Sequence, residues 1–169
     1  LLSHVLQVPK LELFLQFDRP LSQNELKEYK QLLLLRANHE PLEYIINSAE
    51  FIGLKLFVDP RVLIPRPETE ELVIKAEQYI KRIQGVQAIV DIGTGSGVIA
   101  VYLKKKFSDL KVFGTDISKE ALLVAQRNAE KHDVAINFIN KEFPDKENFS
   151  ELLNLVIISN PPYIRTGEI

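Results

Sequence analysis

Apolar residues recur at helical spacing through the first forty positions of the chain. Leu1, Leu2, Val5 and Leu6 fall on one stripe, which Leu11, Leu13, Phe14 and Phe17 continue beyond Pro9. Ser22 and Glu25 form an S-x-x-E capping box, in which each side chain satisfies a backbone N–H of the other. The box predicts a helix from about Gln23 to Asn38, with Leu26, Leu33 and Ala37 among its buried positions, and Pro41 stops it. Residues 1–40 therefore read as a small helical bundle. The pattern changes over 41–69. Phe51, Leu54, Leu56 and Val58 predict a hairpin around Gly53, and Pro60, Pro65 and Pro67 make a stiff, extended connector. A helix from about Glu70 to Ile83 follows, with Leu72, Ala76, Tyr79, Ile80 and Ile83 on one face. From Ala88 the chain alternates strands near 88–92, 111–115, 134–139 and 155–159 with helices near 97–106 and 118–131, the second capped by Ser118. Apolar strands alternating with helices predict an α/β domain over 70–169, its parallel sheet covered on both faces.

Composition narrows the function classes. The chain has 169 residues and a formal net charge of −2, which disfavours direct nucleic-acid binding through phosphate neutralisation. It has no Cys, which excludes disulfides, thiolate–zinc sites and cysteine nucleophiles. Its three histidines, His4, His39 and His132, lie at no metal-ligand spacing, so no metal is expected. No apolar run approaches the roughly 20 residues of a membrane span, and no export signal is visible. A cytoplasmic protein without membrane contact is expected. Residue 1 is Leu, no Met occurs, and the chain stops soon after its most chemically suggestive motif, so a fragment is expected.

Residues 91–97 run Asp91-Ile92-Gly93-Thr94-Gly95-Ser96-Gly97, from a buried strand into a helix. Three of the seven glycines fall here, and glycine allows a sharp turn and close approach of a ligand to the backbone. The helix N-terminus beyond offers unsatisfied N–H groups. A dinucleotide fingerprint needs its third glycine at 98, where Val98 stands, and no Lys-Ser/Thr pair follows as a P-loop requires. The D-x-G-x-G-x-G arrangement instead resembles motif I of S-adenosylmethionine methyltransferases. Asp91 then suits the ammonium-bearing methionine end. Asp116, at the end of the second strand, suits the two ribose hydroxyls, with a helix-capping or turn Asp as its plain alternative.

Asn160-Pro161-Pro162-Tyr163 follows the apolar strand at the edge where parallel sheets bind ligands. Two prolines fix the backbone, so the Asn160 side chain and the Pro161 carbonyl are presented rigidly. They offer two acceptors to one NH2 group. An amide or aromatic amine is a poor nucleophile, and two acceptors orient its lone pair toward a sulfonium methyl. Tyr163 is placed to pack on the planar group. Rate would come from positioning and electrostatics, without a covalent enzyme intermediate.

These motifs, with Phe51-Ile52-Gly53-Leu54 and Val62-Leu63-Ile64-Pro65-Arg66-Pro67-Glu68-Thr69-Glu70, resemble the HemK/PrmC family of peptide-chain-release-factor glutamine N5-methyltransferases. The resemblance implies a Rossmann-like methyltransferase sheet behind a helical substrate-recognition domain (1–40) and a hairpin connector (41–69). It implies S-adenosylmethionine held by Gly93, Thr94, Gly95, Ser96 and Gly97, with Asp91, Asp116 and Asn160. Glu142 and Phe143 fall where the family has Asp and an aromatic against adenine; a core aromatic is the plain alternative for Phe143. Asn160, Pro161, Pro162 and Tyr163 would bind the glutamine of the Gly-Gly-Gln motif in class 1 peptide chain release factors. The connector differs from the Pro-Arg-Ser-Pro of the sister family that modifies a ribosomal-protein glutamine. Methylation of adenine N6 in DNA or RNA is the alternative chemistry, and a non-catalytic adaptor the alternative class. The family's sheet has seven strands, of which four are legible here, and the first helix of the bundle is also missing. These residues alone are therefore expected to be poorly active. The protein is expected to be a monomer.

Overall fold

The computed structural model describes residues 1–149, 152 and 154–161. They form two compact units, Leu1–Ser48 and Ala49–Ile169. The first is helical: α1 (Leu2–Leu6), α2 (Lys10–Leu15), α3 (Gln23–Ala37) and α4 (Leu42–Ile45). The N-terminal stripe is broken, because Gln7 takes a left-handed φ of 53° and Pro9 caps a new helix. The predicted capping box is present at α3: Glu25 N–H donates to Ser22 Oγ at 3.3 Å and Ser22 N–H to Glu25 Oε2 at 2.7 Å. The buried positions expected on α3 are not buried: Leu26 is half-buried, and Leu33 and Ala37 are exposed. Four successive leucines, Leu32 to Leu35, step about 100° each around the helix, so no single apolar face forms. No residue of this unit is fully buried. Pro41 does more than end α3, since it caps the additional turn α4.

The second unit opens with the hairpin β1 (Ala49–Phe51) and β2 (Leu54–Leu56), paired antiparallel across Ile52-Gly53. Helix α5 (Pro67–Arg82) starts earlier than the periodicity predicts. Pro67 occupies its first position, where a fixed φ and a missing N–H cost nothing. Its inner face runs through Thr69, Val73 and Ile80, while Tyr79 and Ile83 are exposed. Glu70 Oε1 accepts from Ile52 N–H at 3.3 Å, tying this helix to the hairpin turn.

The sheet strands are β3 (Ala88–Ile92), β4 (Lys111–Thr115), β5 (Asn137–Ile139) and β6 (Leu155–Ser159), with α6 (Val98–Lys106) and α7 (Lys119–Lys131) between them. All pair in parallel, in the order β5-β4-β3-β6. Strand β5 begins at 137 rather than 134, because Asp133 adopts a φ of 53° and Val134 N–H still bonds the Ala129 carbonyl. One sheet face buries Ile89, Val112 and Ile158 against α5, α6, the hairpin and Ala129 of α7. The other buries Ala88, Val90 and Phe113, packed by Phe149 and Leu152 among the described residues. The ring of Phe149 meets that of Phe113 edge-on at 5.0 Å. The second face is covered only in part among the described residues, since Ile157, paired with Val90, is 62% exposed, so the cover expected on both faces is incomplete. Ile92 pairs with Thr115 on one side and Ser159 on the other, so the glycine loop, Asp116 and Asn160 leave the same sheet edge side by side.

Candidate functional site

The loop between β3 and α6 is a left-handed turn repeated at alternate residues: φ is 72° at Gly93, 54° at Gly95 and 78° at Gly97. A side chain at any of these would be strained, which accounts for the glycine spacing. The loop lies on β4. Gly93 and Thr94 N–H both donate to the Thr115 carbonyl, at 2.9 and 2.8 Å, and Gly97 N–H donates to the Thr94 carbonyl at 2.8 Å. Its amides therefore hold the loop's own shape. A Cβ on Gly93 would meet nothing within 4 Å, so the loop backbone faces open space there. Gly97 is the opposite case: a Cβ would stand 3.0 Å from that of Ala125, and the missing side chain lets α7 close on the loop.

Two carboxylates frame the loop. Asp91 is fully buried, its Oδ2 accepting from the Thr94 hydroxyl at 2.6 Å, while Oδ1 has no hydrogen-bond partner among the described residues. Burial pushes its carboxyl up to about 7; the Thr94 hydroxyl and the Ala100 amide oppose the shift, and the Asp116 charge adds to it. A buried oxygen without a partner is costly, and a cationic ligand group beside it would relieve that cost. Asp116 is half-buried, with Oδ2 accepting from Gly95 N–H and Oδ1 from Ser118 N–H, both at 2.9 Å. It thus makes the turn expected of the plain alternative, and each oxygen keeps a further lone pair for a ligand.

Asn160 stands at the end of β6, half-buried, its Nδ2 donating to the Thr69 hydroxyl at 2.8 Å. Pro161 follows it, exposed, whereas Pro162 and Tyr163 lie outside the described residues. Ser96 is buried. The backbone carbonyl of Glu142 accepts from the Thr115 hydroxyl at 3.4 Å. Phe143 is 62% exposed, so it is not a core aromatic and its ring is accessible at the same edge. Ile117, next to Asp116, is 74% exposed.

Three supporting residues escaped the sequence pattern. Asn128 is fully buried; it donates from Nδ2 to the carbonyls of Phe57 and Ser96, each at 2.9 Å, and accepts from Phe57 N–H at 2.6 Å. It clamps the connector to the glycine loop. The signal for it was an amide on the apolar face of α7 with Ala121, Val124 and Ala125. Asn140 donates from Nδ2 to the carbonyls of Asp116 and Ile117 at 2.9 Å, fixing that corner. The third is Thr69, buried in the first turn of α5.

A glycine loop with one buried and one half-buried carboxylate at the carboxyl edge of a parallel sheet matches a known family. The methyltransferase small domain model covers residues 75–169. The chain belongs to that family. The PrmC N-terminal domain model covers residues 1–46. A release factor glutamine methyltransferase of Geobacter sulfurreducens is 40% identical over all of this chain, which covers 58% of that protein. One from Lactococcus lactis is 44% identical over 88% of this chain and 53% of that protein. The chain thus spans a little over half the length of the curated relatives it matches. Among solved structures, the Thermus thermophilus 16S rRNA N2 G1207 methyltransferase superposes with a TM-score of 0.56 at 20% identity, over 71% of this chain and 33% of that one. The human methyltransferase 10 domain containing protein gives 0.52 at 20% identity, over 80% and 64%. Both show the shared Rossmann-like fold. No helix among the described residues is long and apolar enough to cross a membrane.

Proposed function

We propose that this protein transfers a methyl group from S-adenosylmethionine to the side-chain amide nitrogen of a glutamine, the one in the Gly-Gly-Gln motif of class 1 peptide chain release factors. The observation that carries this reading is the register of the sheet. Ile92 pairs with Ser159, so the glycine loop that would hold a donor and the Asn160 that would hold an acceptor emerge next to each other. The names of relatives about 40% identical across the whole chain support the substrate. The residues present fit the donor. Open backbone at Gly93 admits close approach, the unpartnered Asp91 Oδ1 suits an ammonium group, and Asp116 has lone pairs left for two hydroxyls. Phe143 offers an exposed ring to the adenine. When bound, S-adenosylmethionine supplies an electrophilic sulfonium methyl. Asn160 Oδ1 and the Pro161 carbonyl then accept the two amide hydrogens of the substrate. That pair of bonds would turn the nitrogen lone pair toward the methyl carbon and stabilise the charge that develops on nitrogen as the sulfur–methyl bond breaks, the thioether product leaving and the surplus amide proton passing to water. The protein would work in the cytoplasm, where release factors act.

The test supplies the full-length protein with S-adenosylmethionine, a release factor, the ribosomal protein of the sister family and a DNA oligonucleotide, and locates added methyl groups by mass spectrometry. Methyl on the release-factor glutamine is expected, and Asn160→Ala should lower its rate roughly 10²–10³-fold. Methyl on the ribosomal protein alone or on DNA alone would overturn the substrate assignment.

A further inference from the structure

We propose that Thr69 is a positioning residue for Asn160: its hydroxyl accepts from the Asn160 Nδ2 at 2.8 Å and so holds the carboxamide in place for the substrate amide. The inference rests on the glutamine reading above and extends the site to the proline-rich connector. A carboxamide is nearly symmetric in shape, and a half-turn about χ2 exchanges its acceptor for its donor. A donor turned toward the NH2 of a substrate would repel it, so the carboxamide has to be held rather than left free to turn about χ2. The Thr69 hydroxyl holds it by accepting from Nδ2, a bond that must break before the carboxamide can turn.

The surroundings hold Thr69 where this requires. It is 4% exposed, so water competes poorly for its hydroxyl. Pro67 fixes the start of α5, Thr69 N–H donates to the Arg66 carbonyl at 3.0 Å, and Val73 one turn on is fully buried. Glu70, the next residue, is itself bonded to the hairpin turn. Asn160 is anchored equally well from its own side, since Ser159 Oγ donates to the Ile92 carbonyl at 2.9 Å. A rigid helix start and a rigid strand end thus meet through one hydrogen bond that spans 91 residues of sequence.

The experiment compares Thr69→Val and Thr69→Ser in the full-length protein, reading kcat and KM on a glutamine substrate, cofactor affinity by calorimetry, and melting temperature. Val keeps the shape and removes the hydroxyl, whereas Ser keeps the hydroxyl. The expected result is a kcat lower by roughly 10–100-fold in Thr69→Val, the loss of one hydrogen bond that matters in the transition state. Cofactor affinity should stay within about twofold, and Thr69→Ser should retain most of kcat. A Thr69→Val kcat within about twofold of wild type would overturn the inference, as would equal losses in both variants or a loss that tracks cofactor affinity and melting temperature. Absence of glutamine methylation by the wild type would remove the underlying reading, and the inference with it. Wild-type turnover with an unaffected Thr69→Val removes the inference alone.

Discussion

Replacing Asn128 by Ala should cost far more stability than its position on a helix suggests. Three hydrogen bonds disappear, and with them the partners of Phe57 N–H and of the Phe57 and Ser96 carbonyls. A buried backbone group left without a partner costs about 1–3 kcal/mol. One water taking the vacated space would restore two of the three bonds. That leaves one group without a partner and a net loss of about 1–3 kcal/mol, a sizeable part of the typical stability of a domain this size. The variant Asn128→Asp sharpens the argument. A carboxylate still accepts from Phe57 N–H but confronts both carbonyls with negative charge, so at pH 8 it should be at least as damaging as Ala. Urea denaturation of the two variants against wild type measures both effects. Calorimetry of cofactor binding should show weakened affinity in each, because the loop at Ser96 loses its clamp. An Asn128→Ala loss below about 0.5 kcal/mol, or an Asp variant as stable as wild type, would refute the reasoning.

Two further perturbations separate the roles of the loop residues. Gly97→Ala adds the left-handed backbone cost of about 1–2 kcal/mol to a clash with the Ala125 backbone, 3.1 Å away at Cα, whereas Gly93→Ala incurs only the first. Denaturation midpoints should therefore fall much further for Gly97→Ala, and equal shifts would contradict the packing argument. Asp91 predicts a pH dependence of definite sign. Its native carboxyl holds a proton up to about pH 7 that the unfolded chain releases near 3.8, so its contribution to stability declines as pH rises through that window. By pH 8 the ionised group costs on the order of 4 kcal/mol, part of which Asp91→Asn recovers. Denaturation curves at pH 5 and pH 8 should diverge between wild type and Asp91→Asn, and parallel curves would refute the burial argument.

What was legible in the sequence follows from what each signal measures. Buried parallel strands are apolar on both faces, so β3, β4 and β6 stood out as short runs with correct bounds. Positive φ shows itself as glycine, which exposed the loop at Gly93, Gly95 and Gly97. Periodicity misled where apolar residues exceed what the fold can cover. The leucine run of α3 has no face, and Tyr79 and Ile83 share a stripe with Ile80 yet point outward. The start of α5 lies inside the proline-rich stretch that reads as a stiff connector, and Pro67 is its first residue. The supporting amides were hidden for a different reason. Asn128 reaches Phe57 and Thr69 reaches Asn160 across 71 and 91 residues, and a long-range hydrogen bond leaves no local period.

The strand order also separates a short chain closure from a long one. Ala88 pairs with Lys111 across one helix but with Leu155 across nearly the rest of the chain. Closing that roughly threefold longer loop costs about 1 kcal/mol more in chain entropy, and non-local pairings of this kind slow folding. The glycine loop, Asp91 and Asp116 lie on or beside β3 and β4, which need only the short closure, while Asn160 follows β6, which needs the long one. On the function proposed above, the groups for the donor and the group for the acceptor thus depend on closures of different cost, and loosening of β6 from β3 would part Asn160 from the glycine loop while leaving β3 and β4 paired.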